Sequence, residues 1–265
     1  MKLRSGGSLA RRIVGIALVV VVACEASPTP SVSPSTSPTQ RSRILVFTRT
    51  AAFRHDAIPD AIAAVRRLGE ARGLVVDATE EATAFTDDSL ARYSAVVFLL
   101  TSGDVLTNDQ QAAFERYFRA GGGYAGVHSA SDSEYDWAWY GRLVGAFFKG
   151  HPPVQEGTVV IEDAAHPSTR GLPARWTFTD EWYNFRTNPR ASVHVLARLD
   201  ESSYEGGSMG EDHPWSWCHE FEGGRSWYTA GGHPREAYAD QRFLAHLLGG
   251  IAWASGLEEG RCSPT

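Results

Sequence analysis

The hydrophobic positions in the first half of the chain alternate between two periods. Short runs of apolar and β-branched residues have the pattern of buried strands, and amphipathic segments with helical spacing separate them. Strands separated by single helices predict right-handed parallel crossovers, so we expect an α/β fold with a doubly wound, mostly parallel sheet in which the strand from Arg43 lies centrally. The predicted strands cover 43–48, 74–78, 95–100 and 124–127.

Two helices in this half have recognisable boundaries. The first begins near Pro59, and the second begins with the capping-box spacing of 107–110 and stops at Gly121. Each has one apolar face that we expect to pack on the sheet. The two faces consist of Ile58, Ile62, Val65 and Leu68, and of Phe114, Tyr117 and Phe118.

Extended segments dominate the second half of the chain. Polar turns link five apolar runs, and a final helix follows with Phe243, Leu247, Leu248 and Ile251 on one face. We expect these extra β segments to extend the sheet and to build a rim around its loops. Five of the eight tryptophans lie in or between these extended segments, where they either pack in the core or stack on a ligand such as a sugar ring. The runs are 154–161, 176–178, 193–199, 215–221 and 225–230, and the tryptophans are Trp176, Trp182, Trp215, Trp217 and Trp227.

The N-terminus has the pattern of a bacterial export signal. Basic residues precede an apolar run at 13–23 that is too short for a permanent membrane span. The run ends at Val21-Val22-Ala23-Cys24, which resembles a lipobox, and Cys24 is the predicted lipidation site. The alternative is an uncleaved anchor with an incidental cysteine. We expect a lipoprotein signal peptide at 1–23, a disordered Ser/Thr/Pro-rich tether at 24–42, a folded domain at 43–256 and a tail at 257–265.

Charge and cysteine content narrow the partners and the compartment. The chain has 25 basic and 31 acidic residues, a net charge of −6, and loss of 1–23 removes four basic residues and leaves −10. Nucleic acid is therefore not an expected partner, since its phosphates bind mainly to basic patches. We expect an extracytoplasmic protein held on the cell membrane by its lipid. Cys218 and Cys262 either pair in an oxidising exterior or stay free, because Cys262 lies in a tail with a frayed pattern.

The spacing Gly126-x-His128-x-Ala130 at the end of the strand predicted at 124–127 resembles a nucleophile elbow. Small flanking residues allow a sharp turn that pushes the central side chain out above the sheet. A histidine at that point can bind a metal, transfer a proton or hydrogen-bond a ligand, but it is a poor acyl-forming nucleophile. The alternative is a histidine that only caps the following helix.

Six ordered motifs together resemble the trehalose-utilisation (ThuA-like) family over nearly all of 43–256. They are FTxTxxFRH from Phe47, GGYxGxH from Gly122, KGHP from Lys149, HPxTxGLP from His166, DExY from Asp180 and GGH from Gly231. The resemblance implies a flavodoxin-like sheet related to the class I glutamine amidotransferase fold, and a role in carbohydrate metabolism. In amidotransferases the elbow carries a cysteine. His128 stands there in this chain, so glutaminase chemistry is not expected.

Candidate site residues concentrate where parallel strands end. His55 follows the first predicted strand and His128 the fourth, and such loops meet at one edge of a sheet. Adjacent residues of an extended segment point opposite ways, so one carboxylate of Asp180-Glu181 is expected to face the site while the other is solvated or salt-bridged. The predicted catalytic residues are His128, His55, Asp180 and Glu181; the predicted ligand contacts are Arg54, Ser129, Tyr183, Trp182, His151 and His233; and the candidate metal ligands are His55, His128, His151 and His233.

Three functions fit these residues, all with a small carbohydrate as ligand. The first is an enzyme that moves protons on a sugar or keto-sugar with histidine and carboxylate groups, as a hydrolase, lyase or isomerase. The second uses the same cluster to hold a divalent metal such as zinc. The third is a non-catalytic carbohydrate-binding surface lipoprotein.

Overall fold

The computed structural model describes residues 42–264. The predicted signal peptide, the lipobox with Cys24 and nearly all of the predicted tether lie outside the described residues. Within 42–264, no helix is long and apolar enough to cross a membrane.

The first half alternates strand and helix, as its hydrophobic pattern predicts. All four predicted strands and both predicted helices are present, with boundaries shifted by one or two residues. The elements are β1 (Arg43–Phe47), α1 (Ile58–Ala71), β2 (Val75–Thr79), α2 (Asp87–Leu90), β3 (Ala95–Leu99), α3 (Asn108–Arg119) and β4 (Gly123–Val127).

The second half contains the five predicted extended segments and two short strands that the pattern did not indicate. The short strands, β5 and β8, pair with each other outside the main sheet. The elements are α4 (Ala138–Val144), β5 (Phe148–Gly150), β6 (Gln155–Ile161), β7 (Arg175–Asp180), β8 (Asn184–Phe185), β9 (His194–Asp200), β10 (His213–Phe221), β11 (Gly224–Thr229) and α5 (Gln241–Ala254).

In the described residues, nine strands form one sheet in the order β2-β1-β3-β4-β11-β10-β9-β6-β7. The strands from β2 to β11 are parallel, and those from β11 to β7 are antiparallel to their neighbours. The doubly wound α/β fold with C-terminal β segments that extend the sheet is therefore confirmed. The expectation that the strand from Arg43 is central is wrong, because the whole antiparallel half adds beyond β4 and leaves β1 second from one end.

The helices pack on the sheet through the faces that their spacing predicts. Ile58 and Val65 of α1 are buried, and Thr107 and Gln110 form the predicted capping box before α3. Helix α5 lies so close to β11 that a Cβ on Gly250 would stand 2.1 Å from the Trp227 ring. Glycine at this position therefore allows the close approach of helix and sheet.

The structure decides between two pairs of alternatives that the sequence left open in the second half. The five tryptophans are core residues, since none exposes more than 1% of its surface. Stacking on a ligand is thus excluded for them in this conformation. The C-terminal tail is not frayed at Cys262, which is buried and disulfide-bonded to Cys218 of β10.

Candidate functional site

His128 occupies a sharp turn directly after β4. Its φ of +52° lies in the left-handed region, and a 3₁₀ turn over His128–Asp132 follows. A Cβ on Gly126 would stand 2.5 Å from the Tyr124 hydroxyl, so the elbow needs its small flanking residue. The side chain is not exposed above the sheet as the pattern indicated. It is fully buried because the Tyr183 ring packs 4.1 Å away, centroid to centroid, with two further histidines around it.

One hydrogen bond fixes the chemistry of the His128 ring. Its Nδ1 lies 2.7 Å from the backbone carbonyl oxygen of Ala230. Because a carbonyl oxygen can only accept a hydrogen bond, Nδ1 carries the proton and donates it. In the neutral ring, Nε2 therefore carries the lone pair. Nε2 is buried and has no hydrogen-bond partner in the part of the chain that the structure describes. A buried imidazole held by a carbonyl on one nitrogen, with the other nitrogen free, is the usual arrangement of a metal-binding histidine.

His55 enters from the loop after β1, as the strand-end rule predicts. Its ring centroid lies 4.9 Å from that of His128 and 5.0 Å from that of His233, and its Nδ1 is 3.4 Å from Ser129 Oγ. Burial, and then the nearby His128 and His233, lower the pKa of His55 to about 2. Its ring is therefore neutral and offers a lone pair.

Asp180 and Glu181 have different roles. Asp180, the last residue of β7, is fully buried and accepts backbone N–H groups of Gly232, His233 and Glu181 at 2.7, 3.0 and 2.8 Å. The expectation that one carboxylate of the pair is solvated or salt-bridged is wrong for this reason. Burial raises the pKa of Asp180, although His128 and these backbone N–H groups act to lower it. Asp180 thus fixes the backbone of the loop that presents His233.

The carboxylate of Glu181 faces the histidines. Its Oε2 lies 3.4 Å from His128 Nε2 and 3.2 Å from His233 Nδ1, and its Oε1 lies 3.0 Å from His151 Nδ1. Burial works against ionisation, but the contacts with His128 and His233 outweigh it and hold the pKa of Glu181 well below its usual range. For His233, burial lowers the pKa, and the contact with Glu181 reverses the shift and raises it.

His55, His128, Glu181 and His233, here called the four-residue centre, form a compact donor set. One nitrogen or oxygen from each lies within 4.8 Å of all the others. Ligand atoms about 2.0–2.1 Å from a tetrahedral zinc ion are roughly 3.4 Å apart. The contacts of Glu181 Oε2 with His128 and His233, at 3.4 and 3.2 Å, match that spacing. Apart from these contacts with Glu181, neither His128 Nε2 nor His233 Nδ1 has a hydrogen-bond partner among the described residues, so both nitrogens are available to an ion.

The other predicted residues surround this centre or lie apart from it. His151 approaches Glu181 from outside the four-residue centre and keeps 38% of its side chain exposed. Tyr183 is buried over His128, and Ser129 contacts His55. Arg54 instead pairs with Glu80 on the surface, and the indole N–H of Trp182 donates to the carbonyl of Gln155 inside the core.

The sequence reasoning missed Asp132. This half-buried residue lies four positions after His128 in the same 3₁₀ turn, and its Oδ1 accepts a 2.6 Å hydrogen bond from Tyr135. Burial raises the pKa of Asp132, although the hydrogen bond from the Tyr135 hydroxyl and the nearby His128 act in the opposite direction. Its place at the end of the turn that begins with the elbow histidine was the available signal.

Taken together, fold and site define an α/β domain with a buried histidine–carboxylate centre at the carboxyl edge of its parallel strands. The family model described as trehalose utilisation (ThuA) matches residues 43–254. The chain therefore belongs to the ThuA family, and this membership supports a sugar-related role.

Solved structures with the same fold include two ThuA-like proteins. One, from Bacteroides uniformis ATCC 8492, is 24% identical with a TM-score of 0.71 and covers 84% of this chain and 95% of its own. The other, from Parabacteroides merdae ATCC 43184, is 19% identical with a TM-score of 0.70, covering 85% and 98%.

A more distant match is the β-galactosidase from Rahnella sp. R3, 15% identical with a TM-score of 0.54, which covers 82% of this chain and 32% of its own. At these identities the likeness shows the fold alone. No curated protein matches the chain. The relation to the glutamine amidotransferase fold stays a prediction.

Proposed function

We propose that this protein is an exported, lipid-anchored enzyme of carbohydrate metabolism that acts on a sugar or keto-sugar at a divalent metal held by the four-residue centre. The observation that carries the proposal is the buried Nε2 of His128. It has no hydrogen-bond partner among residues 42–264, and it lies within 4.8 Å of donor atoms of His55, Glu181 and His233. Three imidazoles and one carboxylate are a donor set that suits zinc and similar ions.

A bound metal would supply Lewis-acid activation of a sugar hydroxyl or carbonyl oxygen. The chain's own residues then have distinct tasks. His128 and His55 are buried and hold fixed positions, whereas His233 and His151 keep 24% and 38% of their side chains exposed and form the open side of the site. The Nδ1 of His151 lies 3.0 Å from Glu181 Oε1, and this contact on the open side of the site supports a role for His151 in proton exchange with the substrate.

A sugar substrate agrees with family membership and with this donor set. Sugars and keto-sugars carry hydroxyl and carbonyl oxygens that a metal can polarise, and protons on the adjacent carbon that a histidine can remove. A pure binding protein does not need a buried, unpartnered imidazole nitrogen.

Two features support export and anchoring. The lipobox-like Val21-Val22-Ala23-Cys24 ends an apolar run of signal-peptide length. The Cys218–Cys262 disulfide is of a kind that persists mainly outside the reducing cytosol. The predicted partners are thus a small carbohydrate and a membrane surface reached through the lipid.

Metal content and turnover test the proposal together. The full-length protein, purified and dialysed against zinc, should hold about one ion per chain by elemental analysis. His128→Ala should lose the ion, and His194→Gln should keep it, because His194 pairs with Asp163 outside the centre. Trehalose, other disaccharides and their keto derivatives are then screened with and without chelator.

Each result bears on one part of the proposal. Turnover of a sugar that disappears with chelator and in His128→Ala supports the enzyme and its metal. Turnover that survives chelation but is lost in His128→Ala would overturn the metal and leave a proton-transfer enzyme. Full turnover by His128→Ala would overturn both.

A further inference from the structure

We propose that Phe53 is a stacking platform for a pyranose ring of the substrate, beside the four-residue centre. The inference rests on the proposed function and adds the substrate class, a cyclic sugar with an apolar C–H face. Phe53 belongs to the first of the six motifs, two residues before His55.

Among the described residues, one phenylalanine and one tyrosine ring pack on histidines of the four-residue centre, and the two rings differ in exposure. Tyr183 covers His128 and is only 3% exposed, so its ring is already in use as packing. Phe53 packs on His55 with ring centroids 4.8 Å apart and the rings nearly perpendicular, at 82°. Phe53 nevertheless remains 61% exposed, so most of its ring surface is open beside the centre.

The loop that carries Phe53 is held in place by its neighbours. The backbone N–H of Ala51 donates to the carbonyl of Ser102 at 2.7 Å, and Ser102 Oγ donates to the carbonyl of Phe53 at 2.5 Å. Gly103, with φ of +76°, packs so tightly that a Cβ there would stand 2.9 Å from the Ala52 nitrogen. The position of Phe53 is therefore set by the fold before any ligand arrives.

A single exposed apolar side chain is ordinary on a protein surface. Phe53 differs because it is fixed, aromatic and in contact with a histidine of the centre. A pyranose presents a face of C–H groups that an aromatic ring covers, and this contact removes apolar surface of both partners from water. Linear polyols lack such a fixed face. The tryptophans that the sequence offered for this role are buried, whereas Phe53 is exposed.

The test measures sugar binding by the full-length, zinc-loaded protein. Trehalose, cellobiose and lactose are titrated by calorimetry, with the linear polyol sorbitol as a comparison. The parent should bind at least one of the three pyranosides and not sorbitol. Phe53→Ala should weaken that binding about tenfold, and Phe53→Trp should restore it to within about twofold. Leu257→Ala, at an exposed apolar residue of the C-terminal segment, should leave it unchanged.

The outcomes separate this inference from the metal centre. If Phe53→Ala binds the pyranosides as well as the parent, or if the parent binds none of them, the platform is wrong, whatever the zinc content. If the parent holds no zinc but Phe53→Ala still weakens sugar binding with rescue by Phe53→Trp, the metal centre fails and the platform stands. An equal loss in Leu257→Ala would also overturn the specific role of Phe53.

Discussion

Replacing Asp180 by asparagine tests whether this buried carboxylate fixes the geometry of the centre. Oδ1 of Asp180 accepts the backbone N–H groups of Glu181 and His233, and Oδ2 accepts that of Gly232. An asparagine oxygen can replace Oδ1, but its amide group then meets the N–H of Gly232, donor against donor.

The cost follows from that geometry. One hydrogen bond to a charged acceptor is lost and a buried donor is left without a partner, at roughly 1–3 kcal/mol of unfolding free energy. Asp180→Ala removes all three acceptors and should cost more. Displacement of the Gly231–His233 loop should also weaken zinc binding about 10- to 100-fold, as loss of an outer-shell partner usually does.

Urea denaturation of the metal-free protein measures the first effect, and zinc titration against a competing chelator measures the second. Asp60→Asn is the matched control, because Asp60 is an acidic residue 39% exposed and paired with Arg235 on the surface. It should change the unfolding free energy by less than about 1 kcal/mol. Equal stability and equal zinc affinity in Asp180→Asn and Asp60→Asn would show that the Asp180 carboxylate does not fix the loop.

Three further predictions concern the fold and the anchor. Cys262→Ser opens a disulfide that joins residues 44 apart and should lower the free energy of unfolding by up to about 4 kcal/mol in urea denaturation. If the variant is as stable as the parent when both are measured without reductant, the disulfide has no structural role. Gly250→Ala places a Cβ against the Trp227 ring and should destabilise the protein by about 1–3 kcal/mol or more. Gly150→Ala is the control, because its Cβ meets open space and should have almost no effect on stability. Equal melting temperatures of the two variants would be inconsistent with the close packing. Cys24→Ser should release the protein from membranes or stall its processing, and unchanged fractionation with unchanged mass would exclude the lipid anchor.

Local pattern was sufficient for most of the secondary structure, and the reason is physical. The apolar runs at β1, β3 and β4 are buried on both sides, and such runs are recognisable in one sequence. The order of the sheet was not predictable in the same way. The pairing of β11 with β4 joins segments about a hundred residues apart, and nothing in either segment specifies the other. The central place expected for β1 was wrong for this reason.

The candidate site, too, was predictable where a local rule applies and not where it depends on long-range packing. The convergence of His55 and His128 follows from the rule that parallel strands end at one edge, and the structure brings the two rings together. The approach of β7 to the loop after β11, which places Asp180 and Glu181 beside His233, depends on long-range packing. Burial could not be read from motifs either. In the structure Trp182 is a core residue, whereas Phe53 is exposed.

The central claim is that His55, His128, Glu181 and His233 bind one metal ion. Anomalous diffraction from crystals of the zinc-loaded protein tests it directly. We predict one strong peak about 2.0–2.2 Å from His128 Nε2, His233 Nδ1, a ring nitrogen of His55 and a carboxylate oxygen of Glu181. A zinc-saturated crystal with no peak among these four side chains, or with peaks only at surface groups elsewhere, would contradict the account.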